Sequence, residues 1–343
     1  MGQQRIPVIV VAGFLGSGKT SLLNHLLRNP AGARIGVVVN DFGELEIDAM
    51  SVAGQVDSMV SLGNGCLCCA VDAAGLDDLL SRLTRRGSGI DVIVIECSGL
   101  ADPRVLIRML LASTHQRTTY GGLVEVVDAA EFDSTRTRHP ELDRHLRFAD
   151  LVLLNKTDRV DGATRDRLVS AVRDLSDGTP VLPTAHGRVD PTWFFEPRAA
   201  RPERGGPRQL SFDELLAETR DEDHHDHPHA TYQSVEFTAD DPIDPRALMR
   251  FLDDRPSGVY RMKGVVHFGH AGGGRRFELH TVGNFLRFRR TRFSRGEPRR
   301  TQLVLIGTDI DADAVRDRLA ACVGEPAADD EHAMLDVLRY VER

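Results

Sequence analysis

The sequence predicts an α/β protein, with a mostly parallel sheet carrying helices on both faces and a smaller α/β domain after it. Three observations predict this. Short apolar runs bounded by Gly, Asn, Asp or Pro alternate with helix-period segments up to about residue 185. Over 194–230 the composition turns to Pro, Arg, Gly and acidic residues with little periodicity. Strand-like and helix-like segments then resume, and 343 residues are enough for two cores. The expected division is a first domain over 1–195, a connector over 196–230 and a second domain over 231–343.

The elements follow in order. Ile6–Ala12, Ile35–Val39, 92–95, 123–127, 151–154 and 181–182 are continuous apolar runs, the pattern of strands buried on both faces. Leu22, Leu23, Leu26 and Leu27 share one helical stripe that stops at Asn29-Pro30, and 105–111 reads as a second apolar helix after Pro103. One short helical stretch is expected inside the connector, around 212–216. Beyond the connector, 232–237, 265–268, 277–282 and 303–306 read as strands, and 245–252 and 312–322 as helices.

A formal charge of −8 argues against chain-wide affinity for nucleic acid or an anionic membrane. The apolar run at Ile6–Ala12 falls far short of the roughly 20 residues a bilayer requires. A cytoplasmic protein with no membrane partner is therefore expected. Three of the five cysteines, Cys66, Cys68 and Cys69, crowd into four positions. Thiols this close cannot reach relaxed bridge geometry with one another, so in a reducing compartment they suggest metal or redox chemistry.

Residues 13–20 read Gly-Phe-Leu-Gly-Ser-Gly-Lys-Thr, a GxxxxGK(S/T) pattern that follows a strand and opens a helix. This context predicts a P-loop NTPase fold. Gly13, Gly16 and Gly18 let backbone N–H groups turn toward phosphate oxygens, with Ser17 and Ser21 in the same turn. Lys19 is placed to reach the terminal phosphates, and Thr20 offers a hydroxyl to Mg²⁺. Glu96 closes a strand where a carboxylate commonly senses Mg²⁺, and Gly99 stands where an N–H senses the γ-phosphate. Asp41 and Glu44, after the second strand, are candidates for a first switch or are solvated loop carboxylates.

Asn155-Lys156-Thr157-Asp158 selects the base. A carboxylate at Asp158 can accept from both N1–H and the 2-amino group of guanine, whereas adenine offers no donor at either place. GTP and GDP are thus the expected nucleotides. No glutamine or arginine stands in an evident position to orient water, so slow intrinsic hydrolysis is expected.

Cys66, Cys68 and Cys69 lie between the first switch candidate and the strand that carries Glu96. Three thiolates suit Zn²⁺, Co²⁺ or Cu⁺, and an incomplete ligand set leaves a position for a recipient's ligand. Taken together, GFLGSGKT, VVVNDFGE, GCLCC, ECSGLADP, NKTD and RMKG make the chain resemble the CobW-like family of P-loop GTPases and zinc-regulated metallochaperones. The resemblance runs over nearly the whole chain. It implies that 13–20 hold phosphates and Mg²⁺, that 155–158 hold the base, and that Cys66, Cys68 and Cys69 form the metal motif. It also implies a C-terminal domain of the family's type around Arg261-Met262-Lys263-Gly264, and delivery of Zn²⁺ or Co²⁺ to a client metalloprotein or a role in cobalamin metabolism. Cys97 departs from the family pattern, in which Ser or Thr is common there, and reads as a packed residue or a fourth thiol.

Two stretches remain. His224, His225, His227 and His229 stand among acidic residues in the connector, as a weak collecting site for metal or as a hydrophilic linker. Arg287, Arg289, Arg290, Arg292, Arg295, Arg299 and Arg300 are interleaved with Phe288 and Phe293. This basic stretch reads as an exposed strand with a solvated face, or as a surface for an acidic client, RNA or the ribosome. A homodimer and a zinc-storage role are further readings.

Overall fold

The computed structural model describes residues 5–28, 32–39, 59–61, 73–85, 88–99, 101–195, 233–256, 258–294, 296–326, 330 and 332–341. Its contacts fall into two compact units, Met1–Tyr120 with Thr184–His229 and Gly121–Pro183 with Ala230–Arg343.

Seven strands, β1 (Ile6–Ala12), β2 (Ile35–Val39), β3 (Met59–Ser61), β4 (Val92–Glu96), β5 (Thr118–Asp128), β6 (Leu151–Asn155) and β7 (Val181–Pro183), lie in the order β3-β2-β4-β1-β5-β6-β7. The pairs β1/β4, β2/β4, β2/β3, β5/β6 and β6/β7 run parallel. Between these strands the chain forms α1 (Lys19–Arg28), α2 (Ala73–Leu83), α3 (Pro103–Ala112), α4 (Phe132–Arg138), α5 (Leu142–Phe148) and α6 (Gly162–Leu175). Every residue of β2, β4 and β6 is buried, as expected of parallel strands covered on both faces. Leu22, Leu23 and Leu26 of α1 are buried as well, each worth about 1.5–3 kcal/mol of apolar transfer. Asp102 caps α3 by accepting from the Arg104 N–H at 3.0 Å, and Pro103 occupies the first turn, where its missing N–H costs nothing.

The second sheet is antiparallel, in the order β11-β10-β9-β12-β8. Its strands are β8 (Gln233–Ala239), β9 (Val259–His267), β10 (Arg276–Val282), β11 (Phe285–Thr291) and β12 (Thr301–Gly307). With them come α7 (Pro245–Asp253), α8 (Ala312–Ala320) and α9 (Leu335–Leu338). One face of this sheet supplies Val235, Met262, Val266, Leu279, Phe288 and Leu305 to a core shared with Leu248, Leu252, Val315, Leu319 and Val337 from the helices. Burial alternates along β8 and β12, the mark of a sheet with one face turned to its core. Gly283 and Asn284 join β10 to β11 as a two-residue hairpin loop, with Gly283 at φ 50°.

Several boundaries differ from expectation. β9 starts at Val259 rather than at 265, because Arg261 and Lys263 alternate with buried Tyr260 and Met262 and hide its apolar side. β5 runs over 11 residues where five were expected, since Tyr120 and two glycines extend the apolar run without looking strand-like. β3, at three residues, is too short to carry a period. The helical stretch expected around 212–216 lies outside the described residues. Among the described residues no helix is long and apolar enough to cross a membrane.

Candidate nucleotide and metal site

The glycine loop connects β1 to α1. Gly16 and Gly18 sit at φ 77° and 107°, a region that side chains disfavour, and this bends the chain directly from strand to helix. The turn is fixed by Ser17 N–H donating to the Phe14 carbonyl at 3.1 Å and Leu22 N–H donating to that of Gly18 at 3.0 Å. Lys19 is only 6% exposed, and its ammonium donates to the carbonyls of Gly13 at 3.0 Å and Phe14 at 3.3 Å. The loop thus curls around a buried positive charge. The start of α1 adds N–H groups and the positive end of the helix dipole, the combination that suits phosphate oxygens. Ser21 lies exposed on the first turn of α1.

Glu96 ends β4 beside β1, in register with Val11, and is 3% exposed. The Thr20 hydroxyl donates to its Oε1 at 3.4 Å, which brings together residues 76 positions apart. A hydroxyl and a carboxylate at hydrogen-bond range form a hard oxygen pair of the kind Mg²⁺ takes. Beyond Glu96, the Cys97 N–H donates to the Val11 carbonyl at 2.8 Å and ties the next residues to the end of β1. The Cys97 thiol is buried, in the surroundings of a packed side chain. At Gly99 a Cβ would stand 2.7 Å from the backbone nitrogen of Leu15, so only glycine lets this segment pass against the phosphate loop.

Asn155 closes β6 and is buried, and its carbonyl accepts from the Ala129 N–H at 2.8 Å. Lys156 adopts the left-handed conformation at φ 60°, uncommon for a residue with a side chain. Its ammonium pairs with Asp128 Oδ2 at 2.7 Å, an anchor that holds the chain in this turn. A single 3₁₀ turn, Thr157–Arg159, follows and leaves Asp158 exposed. The sequence reading missed Asp128. Only the strand register reveals it, since Asp128 ends β5 directly opposite Asn155. It also missed the loop after β7, where Gly187 lies so close to α1 that a Cβ would meet the Leu22 nitrogen at 2.6 Å. In the same segment His25 Nε2 bonds the Val189 carbonyl at 2.8 Å.

Asp41, Glu44, Cys66, Cys68, Cys69, His224, His225, His227 and His229 lie outside the described residues, and among the described ones no three metal-ligating side chains converge. Of the basic stretch, Arg287, Arg289 and Arg290 lie on the edge strand β11, Arg292, Arg299 and Arg300 follow it, and Arg295 is not described.

The model of the CobW/HypB/UreG nucleotide-binding domain matches residues 7–183, and that of the cobalamin synthesis protein CobW C-terminal domain matches 232–323. The zinc chaperone CobW of a Sinorhizobium species is 30% identical over 358 residues, covering 94% of this chain and 98% of that protein. The zinc chaperone YjiA of Escherichia coli K12 is 33% identical over 190 residues, covering 54% of this chain and 59% of its own. The crystal structure of the Zn(II)-bound YjiA GTPase aligns over 94% of this chain and all of its own, with 23% identity and a TM-score of 0.44. With more than half its length matched by the nucleotide-binding model and most of the remainder by the C-terminal one, the chain belongs to the CobW family of P-loop GTPases.

Proposed function

We propose that this chain binds and hydrolyses GTP and couples its nucleotide state to the binding of Zn²⁺, with Co²⁺ as an alternative cargo, and to its transfer to a client metalloprotein. In this reading Lys19 and the N–H groups of 13–20 hold the phosphates, Asn155, Lys156 and Asp158 hold guanine, and Thr20 and Glu96 hold Mg²⁺. The Mg²⁺ ion supplies charge neutralisation on the β- and γ-phosphate oxygens when bound. Cys66, Cys68 and Cys69 hold the cargo ion as thiolates.

One observation carries the coupling. Ser61 of β3 registers with Val39 of β2, Val38 with Ile95 of β4, and Glu96 with Val11 of β1. The carboxyl ends of four neighbouring parallel strands therefore share one sheet edge, the usual side for ligands in such sheets. Cys66 follows Ser61 by five residues, a reach of at most about 18 Å of extended chain. Thiols on so short a tether are within range of the segments that respond to phosphate. Relatives named as zinc chaperones support zinc as the metal.

The test is metal affinity in three states: with a non-hydrolysable GTP analogue, with GDP, and without nucleotide. Coupling between sites typically amounts to about 5- to 150-fold. We expect Zn²⁺ affinity to differ by at least about tenfold between the GTP and GDP states, and to be lost when all three cysteines become serine. Equal affinity in all three states would remove the coupling and leave a GTPase with an unrelated thiol cluster.

A further inference from the structure

The face of the antiparallel sheet turned away from its core carries a row of cations that the reading above does not use. Side chains alternate between faces along a strand. With Met262 and Val266 directed into the core, Arg261, Lys263 and Val265 of β9 share the opposite face. Registration across three strands then sets Lys263 opposite His280 of β10, and His280 opposite Arg287 of β11. At about 4.8 Å between strands, the row spans about 10 Å, and Arg261 lies about 7 Å from it along β9.

Among the described residues, two groups in this patch lack the partner that packing normally ensures. Arg261 is 8% exposed, and its Nε–H makes no hydrogen bond among the described residues. His280 Nε2 is shielded from solvent and is likewise unbonded. Buried polar groups in native proteins are nearly always satisfied, so two orphans side by side among cations point to a missing acceptor. Burial first, then Arg261, Arg287 and Lys263, push the proton affinity of His280 well below the ordinary imidazole range. The carboxylate in the adjoining row, Glu278, is engaged by Arg289 at 2.8 Å and by Arg276. On the other side, Glu236 of β8 lies two strands beyond Lys263 in the same row.

We propose that Arg261, Lys263, His280 and Arg287 form a binding site for a single phosphoryl group, distinct from the nucleotide loop. A tetrahedral dianion can accept from several donors arranged around it, whereas a carboxylate is satisfied by one guanidinium fork. The patch is also short, and Glu236 and Glu278 flank it. An extended nucleic-acid strand running past it would carry further phosphates over those carboxylates, which favours a compact anion over RNA. The group can come from a free phosphorylated small molecule or from a phosphorylated side chain of a partner, and both present the same oxygens.

The experiment uses the full chain with Mg²⁺ and a saturating non-hydrolysable GTP analogue, so that the γ-phosphate position of the nucleotide loop is filled and cannot report. Inorganic phosphate is titrated calorimetrically into wild type, Lys263→Gln, Arg287→Gln and the double variant. Parallel arms use a phosphoserine peptide, its unphosphorylated form, and a short RNA oligonucleotide. The expected result is one saturable phosphate per wild-type chain, weakened about tenfold by either single change and abolished by both, with Lys263→Arg retaining binding. A phosphopeptide that binds much more tightly than inorganic phosphate identifies a protein source, and equal binding identifies a small molecule. The proposal is overturned if wild type shows no saturable phosphate binding, a result that depends on no variant folding. It is equally overturned if the double variant, with GDP affinity intact, binds phosphate as wild type does. RNA binding that phosphate does not displace would reassign the face to an extended polyanion.

Discussion

The two sheets keep their polar chemistry in different places, and the covering of their faces explains the difference. In the parallel sheet β2, β4 and β6 are buried throughout, so a charge in mid-strand would have no solvent side to face. Its functional candidates accordingly stand where strands stop: 13–20 after β1, Glu96 at the end of β4, and 155–158 at the end of β6. The antiparallel sheet spends one face on its core and leaves the other to side chains such as Arg261, Lys263, His280 and Arg287, all of them within strands. The first arrangement places backbone N–H groups on a ligand. The second can only use side chains, because its backbone groups are already committed to the ladder.

The strongest test of that contrast is Lys19→Ala. Its ammonium sits inside the loop, and removing a preorganised donor from a transferring phosphoryl group typically costs about 10²–10³ in rate. Single-turnover GTP hydrolysis should fall by that factor while phosphate binding at Lys263 and Arg287 is unchanged. Loss of both functions together would mean that the two sheets do not hold separable chemistry.

A second test compares two glycines. At Gly99 a Cβ would press on the Leu15 nitrogen at 2.7 Å, whereas at Gly283 it would stand 1.7 Å from Asp150 Oδ1. The Asp150 carboxylate also accepts from the Leu123 N–H at 2.8 Å, so it cannot move freely. Overpacking of this kind costs about 1–3 kcal/mol. Gly99→Ala should weaken nucleotide binding by about 5- to 150-fold, since the strained neighbour is the phosphate loop. Gly283→Ala should lower the unfolding temperature and leave nucleotide affinity within about twofold. Calorimetric GDP titration and thermal unfolding of both variants separate the two outcomes.

The same contrast governs what could be read from the sequence. The phosphate loop and the 155–158 turn were legible because each motif dictates its own local backbone, and buried parallel strands announce themselves as unbroken apolar runs. The Thr20 and Glu96 pair was partly legible, since Glu96 closes β4 and Thr20 lies in the first turn of α1, each next to a glycine turn. The row from Lys263 through His280 to Arg287 was not. Lys263, His280 and Arg287 are separated in sequence, and only strand register makes them neighbours. Asp128 escaped for a related reason, because its partner Lys156 is reached across adjacent parallel strands rather than along one. The start of β9 was hidden because its charges occupy alternate positions in a run that would otherwise read as apolar.

The smallest expected effect is a dependence on pH, and it too divides the sheets. Burial and the neighbouring cations depress His280 in the folded state, whereas the unfolded imidazole returns to about 6.5. A depressed folded value means that the unfolded chain takes up the proton first as pH falls. The stabilisation is therefore present above about pH 6.5 and is lost progressively below it, toward the folded value. His267 in the same sheet and His115 before β5 are also depressed, mainly by burial, but less strongly. Thermal unfolding at about pH 7.5 and about pH 5.5 should show a loss of stability on acidification that His280→Gln reduces, because glutamine takes up no proton in either state. An anion seated on the patch should reduce it as well, by offsetting the cations that add to burial in keeping His280 neutral. If the acid sensitivity of His280→Gln equalled that of wild type, with or without phosphate, the imidazole would not be held neutral by burial and its neighbouring cations, and the contrast between the two sheets would lose its electrostatic part.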